Sequence, residues 1–125
     1  MIRLGRRGSA RGRVTRYRVE REYSKAFPSW TQTMMLGFKR GRLVDIQVIY
    51  NADRSGKITP EELARDLSLT YGECSRSGDK FWWADDETVM RVFPVEVPTL
   101  KDGVRGVAWR TSIQILDKDL YKRTD

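Results

Sequence analysis

The residues best suited to chemistry in this 125-residue chain lie in one polar segment, residues 51–62. Its spacing matches a calcium-binding EF-hand loop, in which side-chain oxygens at fixed positions surround the ion and a central glycine permits the sharp bend. Two features depart from that pattern: the first position is Asn rather than Asp, and the preceding residues 44–50 alternate like a strand where an EF-hand has a helix. The candidate calcium ligands are Asn51, Asp53, Ser55 and Glu62.

The same segment also fits a polar turn that leads into a capped helix. Thr59 stands at the N-cap, Pro60 at the first helical position, and Glu62 completes a capping box. This interpretation requires no metal, and we favour it over calcium binding. A phosphate-binding P-loop is excluded, because Asn51 and Ile58 replace the Gly and the Ser or Thr which that motif requires. We therefore expect no cofactor and retain calcium as the third functional hypothesis.

The remaining nucleophiles and acids form no catalytic arrangement. The chain has no His, which removes the commonest general base and the usual zinc ligand. Ser77 and Lys80 have the spacing of a Ser-Lys pair, but they lie in a glycine-containing loop, and Cys74 has no His partner. The acidic run 85–87 is explained by a solvated hairpin turn. We expect that the protein is not an enzyme.

The aromatic pair Trp82 and Trp83 provides a different kind of candidate. If residues 80–84 form a strand, the two indoles point to opposite faces, so one belongs to the core and the other offers a partner surface. The leading functional hypothesis is therefore a non-enzymatic binding or interaction module that uses an exposed sheet face or strand edge with one of these aromatics. A protein partner is expected.

The positive charge is concentrated at the N-terminus, where residues 1–25 hold nine basic and two acidic side chains and so account for the whole net charge of +7. Residues 1–13 are rich in Arg, Gly and Ser, and we predict a flexible arm there, followed by a single domain over 14–125. An Arg-rich arm is suited to phosphate contacts, so nucleic-acid binding is the alternative hypothesis. Its candidate contacts are Arg3, Arg6, Arg7, Arg11, Arg13, Arg16, Arg18, Lys39, Arg40 and Arg42.

Alternation of apolar and polar residues predicts the strands. Residues 14–23 alternate with their charged residues on an outer face, and residues 30–50 form a hairpin. For this hairpin we predict a three-residue loop, Lys39-Arg40-Gly41, which pairs Leu36 with Val44 and Met34 with Ile46. A two-residue turn would instead place Leu36 opposite Asp45.

The second half of the chain contains a helix and further strands. The helix begins after Thr59, presents Leu63, Leu67 and Tyr71 on one face, and ends at Gly72. A second hairpin surrounds residues 85–87, the prolines at 94 and 98 predict a long loop over 94–106, and a last strand starts at Val107. The predicted fold is α+β: a single antiparallel sheet of five to six strands in the order β-ββ-α-ββ-β, with one main helix on its core face.

Across residues 17–121 the sequence resembles a loose group of small bacterial α+β proteins, often found behind secretion or lipoprotein signals and mostly without an assigned activity. The resemblance rests on the pattern Leu36-Gly37-Phe38-x-x-Gly41-Arg42-Leu43-x-x-Ile46-x-Val48-x-Tyr50, on Glu62-Leu63-x-x-x-Leu67-x-x-x-Tyr71-Gly72, and on Trp82-Trp83. It implies a fold and a cell-envelope location. The sequence has no apolar run long enough to span a bilayer and no signal segment, which favours the cytoplasm, with the envelope as the alternative.

Overall fold

The computed structural model describes residues 2–7 (main chain), 14–20 and 28–118. These residues form one antiparallel sheet of eight strands in the spatial order β1-β2-β3-β4-β8-β7-β6-β5, with two helices inserted after β4. The elements are β1 Ile2–Arg7, β2 Val14–Glu20, β3 Thr31–Lys39, β4 Arg42–Tyr50, α1 Ala52–Lys57, α2 Pro60–Tyr71, β5 Ser75–Ser77, β6 Lys80–Ala84, β7 Thr88–Lys101 and β8 Val104–Asp117.

The predicted α+β fold with five to six strands is wrong, because the described chain is mostly sheet. Part of the predicted arm, Ile2–Arg7, is a strand paired with β2, while residues 8–13 lie outside the described part of the chain. The predicted loop over 94–106 is also strand, because both prolines fit within β7. Proline excludes a ladder hydrogen bond only where its nitrogen faces a neighbouring strand, so a strand edge accepts it.

The β3–β4 hairpin has a different register from the predicted one. The turn contains two residues, Arg40 and Gly41, both with positive φ (52° and 77°), which is the type I′ geometry that matches the twist of paired strands. A register shift after Gly37 then inserts one extra residue in β4, so Leu36 lies opposite Ile46 and not opposite Val44. The bulge restores apolar pairing that the short turn alone would have lost.

Helix α2 is confirmed with its predicted boundaries and cap. Thr59 Oγ1 accepts a hydrogen bond from Glu62 N–H (3.1 Å), and the Glu62 carboxylate accepts one from Thr59 N–H (3.0 Å). Leu63 packs in the core cluster while Tyr71, expected on the same face, is 60% exposed. The buried members of this cluster on the helix-bearing face of the sheet are Tyr50, Ile58, Leu63, Ala64, Phe81 and Val92.

The opposite face of the sheet holds a buried ion pair. Arg16 on β2 and Asp45 on β4 are separated by Gly37 on β3, yet Arg16 Nη1 lies 3.0 Å from Asp45 Oδ1. A Cβ at position 37 would come within 2.5 Å of Asp45 Oδ2, so the missing side chain of Gly37 makes the room in which the pair meets. The predicted charged outer face of β2 is thus wrong at Arg16, which is buried.

The hairpin of β7 and β8 extends beyond the rest of the sheet. Strand β6 pairs with β7 only as far as Val92, and β4 pairs with β8 only from Ser112 onward. Residues 93–111, which we call the ribbon, therefore form two strands without a further paired strand among the described residues. Asp102 and Gly103, with φ of 53° and 78°, form its two-residue turn.

Candidate binding surfaces

The ribbon exposes large apolar side chains that a small core would normally bury. Four of them are 62–73% exposed, whereas single exposed apolar residues scattered over a surface are ordinary. Leu100, Val107 and Trp109 lie on one face of the ribbon, since Leu100 is opposite Arg105 and residues 105, 107 and 109 share a face, whereas Val104 lies on the other face. The four residues are Leu100, Val104, Val107 and Trp109.

The two long edges of the ribbon differ in their hydrogen-bonding capacity. A two-residue turn makes its flanking pair, Lys101 and Val104, a hydrogen-bonded pair, and such pairs recur at every second position. Pro94 and Pro98 fall at the alternate positions, so their nitrogens face outward and the β7 edge lacks two of its donors. By the same alternation the N–H and C=O groups of Arg105, Val107 and Trp109 face outward on the β8 edge, which has no proline.

A side-chain contact at the base of the ribbon supports this assignment. Thr111, at the next alternate position of β8, donates its N–H to Ser55 Oγ (3.0 Å), so its amide does point away from β7. The open segment of the β8 edge therefore ends at Thr111. The sequence signal for this surface is the pair Asp102-Gly103 between alternating residues, a strong two-residue hairpin signal, which the two nearby prolines obscure.

The two neighbouring tryptophans occupy opposite faces, as the strand pattern predicts. Trp83 packs against the core cluster, and its Nε1 donates to Gly72 O (2.8 Å), so its indole is committed to the fold. Trp82 is half-buried on the face without helices and lies opposite Arg91. It lines a groove of about 500 Å³ together with Lys80, Val89, Arg91 and Phe93. Trp82 is thus the member of the pair that offers a surface.

The calcium loop that was the third hypothesis for residues 51–62 does not have its open-loop geometry here, because Ala52–Lys57 is helix α1. Asn51 caps this helix by accepting from Arg54 N–H (2.8 Å), and Asp53 pairs with Lys57 one turn later (3.2 Å). Ser55 Oγ donates to Tyr50 O, and Glu62 serves the cap of α2. Within the described segments, the acidic side chains gather into no metal-binding cluster.

Hydrogen bonds lower the pKa of two exposed carboxyl groups. The backbone N–H of Thr59 donates to the Glu62 carboxylate, and the Thr59 side chain also contacts Glu62. Both interactions lower the pKa of Glu62. Asp85 accepts from the N–H groups of Glu87 and Thr88 (2.8 and 2.7 Å), which likewise lowers its pKa. Both carboxylates are turn or helix caps, so the acidic run 85–87 forms the hairpin turn that the sequence predicts.

Several of the predicted phosphate contacts are buried or already paired with an acid. Arg16 is buried against Asp45, Arg18 pairs with Glu20 (3.0 Å), and Lys39 is buried. Arg40 and Arg42 are exposed at the β3–β4 turn. Of the others, Arg3, Arg6 and Arg7 belong to β1, and Arg11 and Arg13 lie outside the described residues. Nucleic-acid binding stays a prediction that rests on this reduced set.

The weaker catalytic candidates are also placed. Ser77 and Lys80 face each other across the β5–β6 hairpin, but both are exposed on short strands rather than at the buried helix start of a Ser-Lys nucleophile. Cys74 packs against the core cluster.

The helices of the described segments include none that is long and apolar enough to cross a membrane. Comparisons with protein-family models, with curated proteins and with solved structures returned no match to this chain.

Proposed function

We propose that this chain is a non-enzymatic interaction module that docks a partner on the ribbon, through the open edge of β8. The observation that carries the proposal is the combination of four exposed apolar side chains with an outward-facing row of backbone donors and acceptors that no strand of the described residues pairs with. Pairing of an added strand with an exposed edge is an established mode of protein recognition, in which the backbone supplies affinity and side chains supply specificity.

The contrast between the two ribbon edges supports a selective surface. Exposed edges promote unwanted pairing, and proteins commonly block them with proline or charge. Here Pro94 and Pro98 block the β7 edge, while the β8 edge carries Val107 and Trp109 and no proline. A ribbon with one edge blocked by proline and the other edge apolar favours docking in one orientation.

Among the described residues no catalytic group is assembled, and this favours a binding role over an enzymatic one. The chain has no His, and among the candidate residues Asn51 and Glu62 act as helix caps and Asp53 pairs with Lys57. Trp82 and its groove provide a second contact surface on the same protein, consistent with an interaction module.

A shortened ribbon tests the proposal. Residues 96–109 are replaced by Asp-Gly, which joins the pair Val95 and Arg110 through the same kind of two-residue turn that now joins Lys101 and Val104. Wild type, this variant and the control Leu69→Lys are immobilised and incubated with nuclease-treated lysate of the source organism. The control removes an 87% exposed leucine from α2 and leaves the ribbon intact.

We expect wild type and Leu69→Lys to retain the same proteins, a copy of the chain included, and the shortened variant to lose them. Thermal melting checks that the sheet of the shortened variant is folded, because a folded variant unfolds in a cooperative transition like that of wild type. Equal retention by the folded shortened variant would refute a docking role for the ribbon.

A further inference from the structure

The open segment of the β8 edge is short and has defined limits. It runs from the turn at Asp102-Gly103 to Thr111, whose N–H is taken by Ser55 Oγ. Between these limits three residues present their N–H and C=O groups outward, and Val107 is the central one. Trp109 O also accepts from the Arg110 guanidinium (3.2 Å), a solvent-exposed bond that a strand donor could replace.

This segment is complementary to itself. If two copies of the β8 edge pair antiparallel about a two-fold axis at Val107, Arg105 of each copy lies opposite Trp109 of the other. A guanidinium opposite an indole is a favourable cation–π pair, and like charges do not meet. About six backbone hydrogen bonds would form across the axis, two at Val107 and two at each Arg105–Trp109 pair.

The β7 residues of the ribbon extend this complementarity into neighbouring rows. Pro98 is opposite Val107 within one copy. Pairing about the axis would therefore form a continuous apolar row across both copies, in which the two Val107 side chains are flanked by the two Pro98 residues. Glu96 is opposite Trp109, so the incoming Arg105 would approach a carboxylate beyond the indole. The side chains thus match in both polarity and charge.

We propose that the partner of the ribbon is a second copy of this chain, paired edge to edge across Val107 in a two-fold symmetric dimer. This inference rests on the proposed docking role of the ribbon and adds the identity of the partner. A symmetric dimer is the commonest assembly of identical chains, because each patch then meets its own copy and the assembly closes.

The decisive variants are Val107→Lys and Val107→Glu, which place like charges opposite each other at the axis. Val107 is 64% exposed, so neither variant is expected to disturb folding. Sedimentation equilibrium from micromolar to millimolar concentration should show a dimer for wild type, and a dissociation constant at least about tenfold higher for each variant. Leu69→Lys, a charge added at an exposed leucine elsewhere, should dimerise like wild type.

The mixture of the two variants is specific to this geometry. Equal amounts of Val107→Lys and Val107→Glu should form a heterodimer, because the opposite charges then meet at the axis. A monomeric wild type would overturn the inference, and so would a dimer that persists in both variants or is not restored by mixing. Ribbon-dependent retention of another protein by a monomeric wild type would leave the proposed function standing while this inference falls.

Discussion

Asp45 illustrates how a single residue depends on the strand next to it. Its carboxylate reaches Arg16 only because Gly37, on the strand between them, has no side chain. The alternation of β2 predicts that Arg16 faces away from Tyr17 and Val19, which is correct, but it does not reveal an acid two strands away. The prediction of Arg16 as a phosphate contact therefore failed to anticipate its burial.

Removing one member of this pair should be costly. Asp45→Asn keeps the shape but leaves the Arg16 guanidinium buried without the carboxylate, and we expect a loss of about 3–5 kcal/mol in the free energy of unfolding. Asp53→Asn removes an acid from an exposed i,i+4 pair with Lys57 and should cost no more than about 0.5 kcal/mol. Urea denaturation of both variants makes the comparison, and similar losses would show that the buried pair contributes little.

Substitution of Glu62 distinguishes the helix-cap interpretation from the calcium hypothesis. The hydrogen bond from Thr59 lowers the pKa of Glu62 in the folded protein. The stability that the ionised carboxylate adds is therefore complete above the ordinary Glu pKa of about 4.3, and it is lost as the pH falls through the lower folded value. Glu62→Gln retains an acceptor for Thr59 N–H, so we expect a small loss at neutral pH that disappears in acid.

Calcium should not change the melting temperature of wild type or of Glu62→Gln, because residues 52–57 are wound into a helix. Thermal melting in calcium and in chelator measures this. A rise of several degrees that occurs in wild type alone would restore the calcium site.

At the level of helices and strands, local sequence signals predict where an element begins and ends, but they do not predict how the strands pair. The cap of α2 could be predicted residue by residue, since Thr59, Pro60 and Glu62 act within one turn of chain. The β3–β4 hairpin was predicted as an element, but its register depends on a bulge that local alternation does not encode. The ribbon is not predictable from its prolines, because a proline is compatible with a strand whose outer edge is free, and the sequence does not say which edge that is.

The blocking role assigned to Pro98 predicts the effect of removing it. Pro98→Val returns an outward N–H to the β7 edge, so we expect association beyond the dimer, seen as a concentration-dependent rise in light scattering. Thr99→Val is the matched control, because its N–H already pairs with Gly106 inside the ribbon. Scattering that is the same for both variants would argue against an edge-blocking role.

At the scale of the whole molecule, the sheet divides into a supported part and a free part. The helices cover one face of the strands around the core cluster, whereas the ribbon continues past them and exposes Leu100, Val104, Val107 and Trp109. The net charge of +7 resides in residues 1–25, and one of these basic side chains, Arg16, is buried in an ion pair with Asp45 from outside that segment. The free part of the sheet, rather than the basic segment, is therefore the surface we assign to docking.

Residue-resolved amide hydrogen exchange tests this assignment most directly. At concentrations where wild type associates, we predict that the N–H groups of Arg105, Val107 and Trp109 exchange at least about tenfold more slowly than in Val107→Lys. The outward amides of Glu96 and Leu100, on the proline-blocked edge, should exchange at the same rate in both proteins. Equal exchange at Arg105, Val107 and Trp109 in the two proteins would contradict the assignment of the β8 edge as the docking surface.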